Sequence, residues 1–378
     1  MSLIAAATAT RFGRHEGNST LDLMSDAATA ALREAQLERA DIDGLISGYA
    51  TVMPHLMLAN VFAEHFGLKP TYAHSIQMGG ATGFGMVMLA HRLIESGAAK
   101  RILVVAGENR LTGQSRDSAI QSLSQVGHPV YEVPLGATIP AYYALVASRY
   151  MYETGVTAAD LAELAVLMRA NAARHPGAQI RQPVTVEEVL ASKAIATPLK
   201  LMDCCPVSDG GAAVIVEREE AGRRGIRIRG AAQIHPHQHV SAAASLAEFG
   251  VGACVGRALD EAGFAVTDMR YAAIYDSFTV TLSILLEEAG LALRGRAGAM
   301  ARDGHFAPDG PMPVNTHGGL LAYGHCGVAG AMAHLAECVA QMRGTAGERQ
   351  IAPPATALLH GDGGVLSSHV SLVLENRT

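Results

Sequence analysis

The two halves of this sequence carry similar elements in the same order, and this repeat constrains the fold more than any other feature. Each half has a helical segment, a turn with an aspartate, a short apolar run, a glycine-rich turn that opens a helix, and a second apolar run. These lie at 31–37, 41, 45–46, 79–83 and 102–106, and again at 258–264, 268, 272–274, 326–330 and 355–359. Chance similarity between two alanine-rich helices would not reproduce the order of the later elements. An internal duplication of about half the chain predicts two similar α/β units packed face to face, not a short-period solenoid.

The first half alternates between helical and strand patterns. Amphipathic or apolar helices are predicted at 21–36, 54–66 and 84–96, and buried strands at 45–48 and 102–107. The second strand is apolar throughout, which is typical of a strand covered on both faces. This alternation predicts an α/β architecture.

Residues from about 110 to 199 interrupt the alternation with helices of their own. One of these helices starts with a capping box formed by Thr157 and Asp160. We interpret this stretch as an inserted loop domain that covers one face of the body. The predicted division is therefore an N-terminal half at 1–225, which includes the insertion, and a C-terminal half at 226–378.

The composition of the 378 residues narrows the class of protein. The formal net charge of −6 argues against a nucleic-acid partner. The sequence has no apolar run of about 18 residues, so no membrane span is expected, and residues 1–14 do not resemble a signal peptide. Its five cysteines form no C-x-x-C pair, which indicates reduced thiols and a cytoplasmic location.

The segment 317–330 is the strongest candidate for a functional site. It holds five glycines together with Tyr323, His325 and Cys326, and a helical pattern follows at 331–342. Glycines let the backbone approach a ligand closely, and the helix start offers free N–H groups to an oxyanion. The structural alternative is a tight turn with a buried histidine, but the clustering of a phenol, an imidazole and a thiol favours a site.

Four motifs resemble the thiolase superfamily, specifically its sterol-carrier-protein-type branch. They lie at 203–213, 275–278, 318–330 and 360–364, and the resemblance covers nearly the whole chain. It implies a duplicated, five-layered αβαβα thiolase fold. It also implies a homodimer or a dimer of dimers, and an enzyme that makes or breaks carbon–carbon bonds in acyl-CoA thioesters. Coenzyme A would enter only as part of the substrate, with no other cofactor and no metal.

This sequence departs from the family pattern at the catalytic positions. Gly80 stands where a thiolase has its nucleophilic cysteine, and glycine cannot form an acyl-enzyme. His325 matches the family histidine, although Cys326 replaces the proline that follows it. His360 aligns with the second cysteine, and Tyr275 opens the segment that matches a motif beginning with asparagine or histidine.

With these changes, the pattern at the catalytic positions resembles that of thiolase-fold aldolases. Those enzymes cleave the side chains of steroid-like CoA thioesters by a retro-aldol reaction. That resemblance implies a separate partner chain with a zinc ribbon and an OB-fold. Tyr275 or Tyr323 would take the hydroxyl proton if nearby donors or cations lower its pKa, and His325 would donate to the thioester oxygen.

Five further residues are candidates for substrate binding. Gly80 and Cys326 lie in the two matching turns, and the turn at 360–364 carries the others, His360, Asp362 and Gly363. This turn either binds substrate or only shapes the loop.

Two other functions stay open at this point. One is a thiolase-type acyltransferase, an acetyl-CoA acyltransferase, that uses another thiol such as Cys326. The other is a non-catalytic subunit that binds an acyl-CoA.

The resemblance predicts that the protein is a homodimer, because thiolase halves pair their sheets across a two-fold axis with a large interface. Light scattering at micromolar concentration should report about twice the chain mass of 39.4 kDa. A species of the single-chain mass alone would contradict this expectation.

Overall fold

A large mixed β-sheet organises the chain. The computed structural model describes residues 1–220 and 225–376. The strands of the sheet are β1 (Ser2–Ala9), β2 (Gly44–Gly48), β3 (Tyr72–Ile76), β4 (Arg101–Asn109), β7 (Asp209–Arg218), β8 (Ile226–Ile234), β9 (Ala272–Ile274), β10 (Thr356–Gly363) and β11 (Ser368–Asn376). A separate two-stranded hairpin pairs β5 (Ala194–Ala196) with β6 (Leu199–Lys200).

The helices pack on both faces of this sheet and between its halves. They are α1 (Thr20–Ala35), α2 (Leu58–Phe66), α3 (Thr82–Glu95), α4 (Arg116–Ser124), α5 (Ile139–Thr154), α6 (Ala158–Ala173), α7 (Val186–Ala191), α8 (Val251–Ala262), α9 (Thr279–Glu288), α10 (Ala297–Arg302), α11 (Gly319–Ala322) and α12 (Val328–Arg343). None of the helices described is long and apolar enough to span a bilayer.

The strand order shows the duplication directly. The sheet runs β3-β2-β4-β7-β1-β8-β11-β10-β9, so the two halves meet where β1 pairs with β8. Reading outward from that junction, β1, β7, β4 and β2 correspond to β8, β11, β10 and β9. In each half the two strands of the predicted apolar runs pair in parallel, β2 with β4 and β9 with β10. The predicted duplication is confirmed.

Helices α3 and α12 form the central layer of the five. Each packs against the other and against strands of both halves. A Cβ at Gly83 would lie 2.9 Å from Met332 Cγ and 3.2 Å from Val328 O, so glycine permits this close crossing. Helices α1 and α2 cover the N-terminal half, and α8 covers the C-terminal half. The predicted α/β fold with αβαβα layering is confirmed.

Local sequence explains the limits of α1. Ser19 and Asp22 form a capping box at its start, and Gln36 ends it in the left-handed conformation. Leu23 and Met24 are fully buried against the sheet, and each such burial stabilises the fold by roughly 1.5–3 kcal/mol.

The boundaries predicted from the sequence need some correction. Helix α2 begins at Leu58 rather than at 54, and the sequence patterns did not predict β1 or β3. Strand β3 lies at the edge of the sheet, where its partly exposed residues lack the apolar pattern of a buried strand. Between β4 and β7 lie helices α4 to α7 and the β5–β6 hairpin, in the region predicted as an insertion.

A buried carboxylate fixes the loop that precedes α12. Asp276, which follows β9, accepts hydrogen bonds from the Leu320 backbone N–H at 2.7 Å and from His334 Nε2 at 3.0 Å. Asp276 and His334 are both fully buried. The Gly319 backbone approaches the carboxylate so closely that a Cβ at this position would overlap it. Asp276 therefore holds the short helix α11 and, with it, the start of the segment that carries His325.

We expect Gly319→Ala to destabilise the fold far more than Gly347→Ala. Both glycines have φ near +60°, which alone costs a side chain about 1–2 kcal/mol. The Cβ of Gly347→Ala would meet nothing within 4 Å, whereas that of Gly319→Ala would overlap Asp276. In urea titrations, the free energy of unfolding should fall by about 1–2 kcal/mol for Gly347→Ala and by at least about 2 kcal/mol more for Gly319→Ala. Equal shifts would contradict the anchoring role of Asp276.

Candidate functional site

Tyr275 and His325 form a hydrogen-bonded pair where the two halves meet the central layer. The Tyr275 hydroxyl lies 3.0 Å from His325 Nε2, and the two rings are nearly perpendicular. Tyr275 follows β9, and its backbone N–H donates to the His360 carbonyl. The His325 backbone is held by the Pro206 carbonyl and the Ser208 hydroxyl, so both members are fixed by main-chain contacts.

The hydrogen bonds of His325 identify its tautomer. The Gly327 backbone N–H donates to Nδ1 at 3.2 Å, so Nδ1 is an acceptor. Burial lowers the pKa of His325 to about 3, and the neutral ring therefore carries its proton on Nε2. In the free protein this Nε2–H donates to the oxygen of Tyr275.

The Tyr275 phenol stays protonated in the unliganded site. Burial, with the nearby Cys205 and Asp362, raises the pKa of Tyr275 well above its ordinary value, and the Arg110 charge lowers it only in part. A tyrosine that acts as a free phenolate needs a lowered pKa, and the unliganded site does not fulfil this condition.

Gly80 lies against this phenol at the start of α3. A Cβ at position 80 would overlap the Tyr275 hydroxyl and the Asp362 carbonyl oxygen. Gly80 and His325 are therefore near each other, because the Tyr275 hydroxyl contacts both. The phenol occupies the space that any side chain at residue 80 would need.

Asp362 and Gly363 form the floor beneath Gly80. Asp362 Oδ2 accepts a 2.9 Å hydrogen bond from Tyr143, whereas Oδ1 is buried without a partner. Burial raises the pKa of Asp362 well above its usual range. A Cβ at Gly363 would overlap the Met78 carbonyl oxygen, so this glycine permits the turn that carries Gly80 to pack closely.

Glu108 and Arg110 approach the pair from the end of β4. Glu108 Oε1 accepts from the hydroxyl and the backbone N–H of Thr51, and burial raises the pKa of its carboxyl. The Arg110 side chain lies over Gly327, with Cδ 3.7 Å from where a Cβ of that glycine would stand. The charge of Arg110 also lowers the pKa of His325.

Tyr323 does not join the pair, contrary to the sequence-based expectation. Its hydroxyl donates to the Thr10 carbonyl at 2.8 Å, and its ring packs against Phe12, His175 and His317. The peptide turns between 323 and 325 at Gly324, whose φ is +126°, so the two side chains lie in different environments.

His360 also points away from the pair. Residue 361 of β10 faces α3, because a Cβ there would contact Phe84 and Ala81. Since successive strand residues face opposite sides, the His360 ring is directed instead to Ser371 and His369, at 2.8 and 3.2 Å. Its predicted substrate contact through the side chain is not supported.

Cys326 is fully buried at the start of α12. Burial and the nearby Glu108 raise the pKa of its thiol well above the ordinary value. A thiol in this environment is a poor nucleophile. In residues 1–220 and 225–376 no group of three or more histidine, cysteine or carboxylate side chains is placed to hold a metal ion.

Arg110, Glu108 and Tyr143 were not identified from the sequence. Glu108 and Arg110 lie at alternate positions at the carboxyl end of a buried strand, which is where α/β sheets place functional residues. That position was a usable signal. Tyr143 belongs to the insertion, and only the tertiary fold brings α5 to Asp362.

Comparisons with known proteins agree with this fold. The models "Thiolase, N-terminal domain" and "Thiolase C-terminal domain-like" match residues 2–220 and 232–376. The chain is 33% identical to the steroid side-chain-cleaving aldolase of Thermomonospora curvata, over 90% of each chain. It is 29% identical to an acetyl-CoA acetyltransferase of Methanothermobacter thermautotrophicus, over 96% of each chain.

A structural neighbour supports the same assignment. The structure named Ltp2-ChsH2(DUF35) aldolase superposes with a TM-score of 0.87 at 31% identity, covering 99% of this chain and 97% of that one. With both family models matched along nearly its full length, this chain belongs to the thiolase superfamily.

Proposed function

We propose that this protein cleaves the Cα–Cβ bond of a β-hydroxyacyl-CoA by a retro-aldol reaction, with Tyr275 and His325 as the catalytic pair. The observation that carries the proposal is the Tyr275 phenol beside Gly80. It fills the space of a thiolase nucleophile with an acid–base group that is hydrogen-bonded to the family histidine. A retro-aldol reaction needs proton transfer and enolate stabilisation but no covalent intermediate.

The protonation states of Tyr275 and His325, a neutral phenol and a neutral imidazole, suit such a reaction. As the Cα–Cβ bond breaks, its electron pair moves to the α-carbon and into the thioester enolate, and the Tyr275 phenol proton is transferred to the α-carbon. In the same concerted step the phenol oxygen, which becomes phenolate-like, takes the proton of the substrate β-hydroxyl. The products are a ketone or aldehyde and a shortened acyl-CoA, with no net proton consumed. The His325 Nε2–H supports the charge that appears on the phenol oxygen during this transfer.

The acyl group that we propose is a steroid-like side chain carried as its CoA thioester. The support is the T. curvata relative, which is named for cleaving steroid side chains. Coenzyme A would enter only as part of the substrate. We also propose a second chain of the zinc-ribbon and OB-fold type, because the structural neighbour is named as a pairing of Ltp2 with ChsH2(DUF35). The proposal of a homodimer rests on the family resemblance alone.

A thiolase-type acyl transfer is the second candidate, because the methanogen relative is named an acetyltransferase. It would need a thiol other than one at residue 80. Burial raises the pKa of both Cys205 and Cys326, which argues against either as the nucleophile. A non-catalytic subunit would bind acyl-CoA without turning it over.

We expect Tyr275→Phe to abolish cleavage while Tyr323→Phe remains active. Loss of a positioned acid–base group costs about 10²–10⁴-fold in rate. The matched variant removes a phenol oxygen that bonds only the Thr10 carbonyl, so it should lower stability by about 1–3 kcal/mol and change the rate little. The measurement is steady-state cleavage of a β-hydroxyacyl-CoA with a tertiary or ring hydroxyl, with the partner chain present.

Two further variants test the competing functions in the same assay. His325→Ala should lose about 10²–10³-fold, and Cys326→Ala should be mild. An inactive Cys326→Ala protein beside an active Tyr275→Phe protein would reject the aldolase. So would loss of the wild-type activity to iodoacetamide.

The rate of cleavage should be nearly flat from about pH 6 to about pH 9. His325, with a pKa of about 3, is neutral throughout that range, and Tyr275, with a raised pKa, is protonated throughout it. If a free phenolate were the base, kcat would instead rise about tenfold per pH unit. A pH–rate profile of the wild-type protein separates the two cases.

A further inference from the structure

We propose that Arg110 is a catalytic residue that stabilises the negative charge developing on the thioester oxygen as the Cα–Cβ bond breaks. The inference rests on the retro-aldol function proposed above and assigns its enolate-binding group.

Arg110 is a partly buried cation that no salt bridge holds in the residues that the structure describes. Across residues 1–220 and 225–376, its guanidinium makes no hydrogen bond and no ion pair, and its Nε is buried with no partner. Other buried or half-buried arginines of the chain are paired, such as Arg349 with Glu337 at 2.9 Å and Arg101 with Glu217 at 2.9 Å. A partly buried and unpaired charge costs stability, so its presence here needs a reason.

The nearest carboxylate along the strand forms no direct ion pair with this cation in the residues that the structure describes. Glu108 lies on the same face of β4, two residues earlier, but its Oε1 is bound by the hydroxyl of Thr51 and the backbone N–H of Val52. Its Oε2 is buried with no partner and lies against Gly327. Burial raises the pKa of Glu108 and the charge of Arg110 lowers it, so the two groups interact electrostatically although no direct ion pair joins them.

The position of Arg110 connects this charge to the reacting groups. Its Cδ packs over Gly327, whose backbone N–H donates to His325 Nδ1 at 3.2 Å. The guanidinium charge adds to the effect of burial in lowering the pKa of His325, and it opposes in part the raised pKa of Tyr275, as expected of a cation near both groups. Gly327 is also the N-cap of the 16-residue helix α12, and the positive end of that helix adds to the same field.

A cation in this place acts on the transition state more than on the bound substrate. The thioester oxygen is uncharged in the substrate and carries a negative charge in the enolate, so the attraction grows as the bond breaks. An interaction of this kind raises kcat rather than binding. A permanent anion on the acyl chain, such as a carboxylate, would instead be bound equally before and during the reaction.

Three variants test the assignment in the complete protein, with the partner chain if cleavage needs one. Arg110→Gln removes the charge, Arg110→Lys keeps it, and Arg116→Gln removes an exposed arginine six residues away. We measure kcat and KM for a β-hydroxyacyl-CoA with a tertiary hydroxyl. We also measure exchange of the α-protons of propionyl-CoA in D₂O, which reports enolate formation without bond cleavage.

We expect Arg110→Gln to lose about 10²–10³-fold in kcat and in α-proton exchange, with KM nearly unchanged. Arg110→Lys should recover part of both losses, and Arg116→Gln should resemble the wild type. Circular dichroism and thermal melting establish that each variant is folded. A merely structural role of Arg110 would not produce recovery by lysine in the exchange rate.

Other results would overturn the assignment. Unchanged kcat in Arg110→Gln, or a loss confined to KM, would show that the residue is not needed or binds a permanent anion. If wild-type protein cleaves the substrate and Tyr275→Phe does not, these results reject the role of Arg110 alone. If wild-type protein neither cleaves the substrate nor exchanges the α-protons, the retro-aldol function itself is rejected.

Discussion

Steric exclusion at residue 80 is the constraint on which the candidate site depends. The Tyr275 phenol and the Asp362 carbonyl occupy the space that a Cβ would need, so glycine is required there and no nucleophile can share the position. Gly363 extends the same constraint, because its lack of a side chain lets the 78–80 turn lie directly on β10. In a thiolase this turn presents a cysteine. Here the turn at 78–80 leaves room for the Tyr275 phenol, which contacts His325.

The electrostatics of the site follow from its burial. Burial keeps His325 neutral, keeps Tyr275 protonated and raises the pKa of both Glu108 and Asp362. Burial therefore disfavours the charged forms of all four groups, whereas the Arg110 guanidinium keeps its charge. A cation in a buried site suits chemistry in which a negative charge exists only briefly, because water screens the interaction little.

The duplicated architecture explains why the functional groups converge. Helices α3 and α12 are equivalent elements of the two halves, and their N-termini bring Gly80 and His325 to the same end of the central layer. In the second half, Tyr275 follows β9 and Asp362 lies near the end of β10; these strands correspond to β2 and β4 of the first half. The insertion adds Tyr143, whose ring stacks on Phe278 at 4.3 Å and whose hydroxyl reaches Asp362. Each half supplies part of a site that neither half forms alone.

The sequence by itself determined the duplication, the α/β class, the family, and the importance of Gly80, Tyr275 and His325. These features depend on local periodicity and on motifs, which are properties of the chain order. It did not determine the directions of side chains. Tyr323 is two residues from His325 in sequence, but the backbone conformation at Gly324 directs its side chain toward Thr10. Successive side chains of a strand point to opposite faces of the sheet, so His360 lies on the face away from α3, where it contacts Ser371 of β11. Only the tertiary structure decided that Arg110 lies over Gly327 beside the pair and that α5 reaches Asp362, because both depend on contacts between segments far apart in the chain.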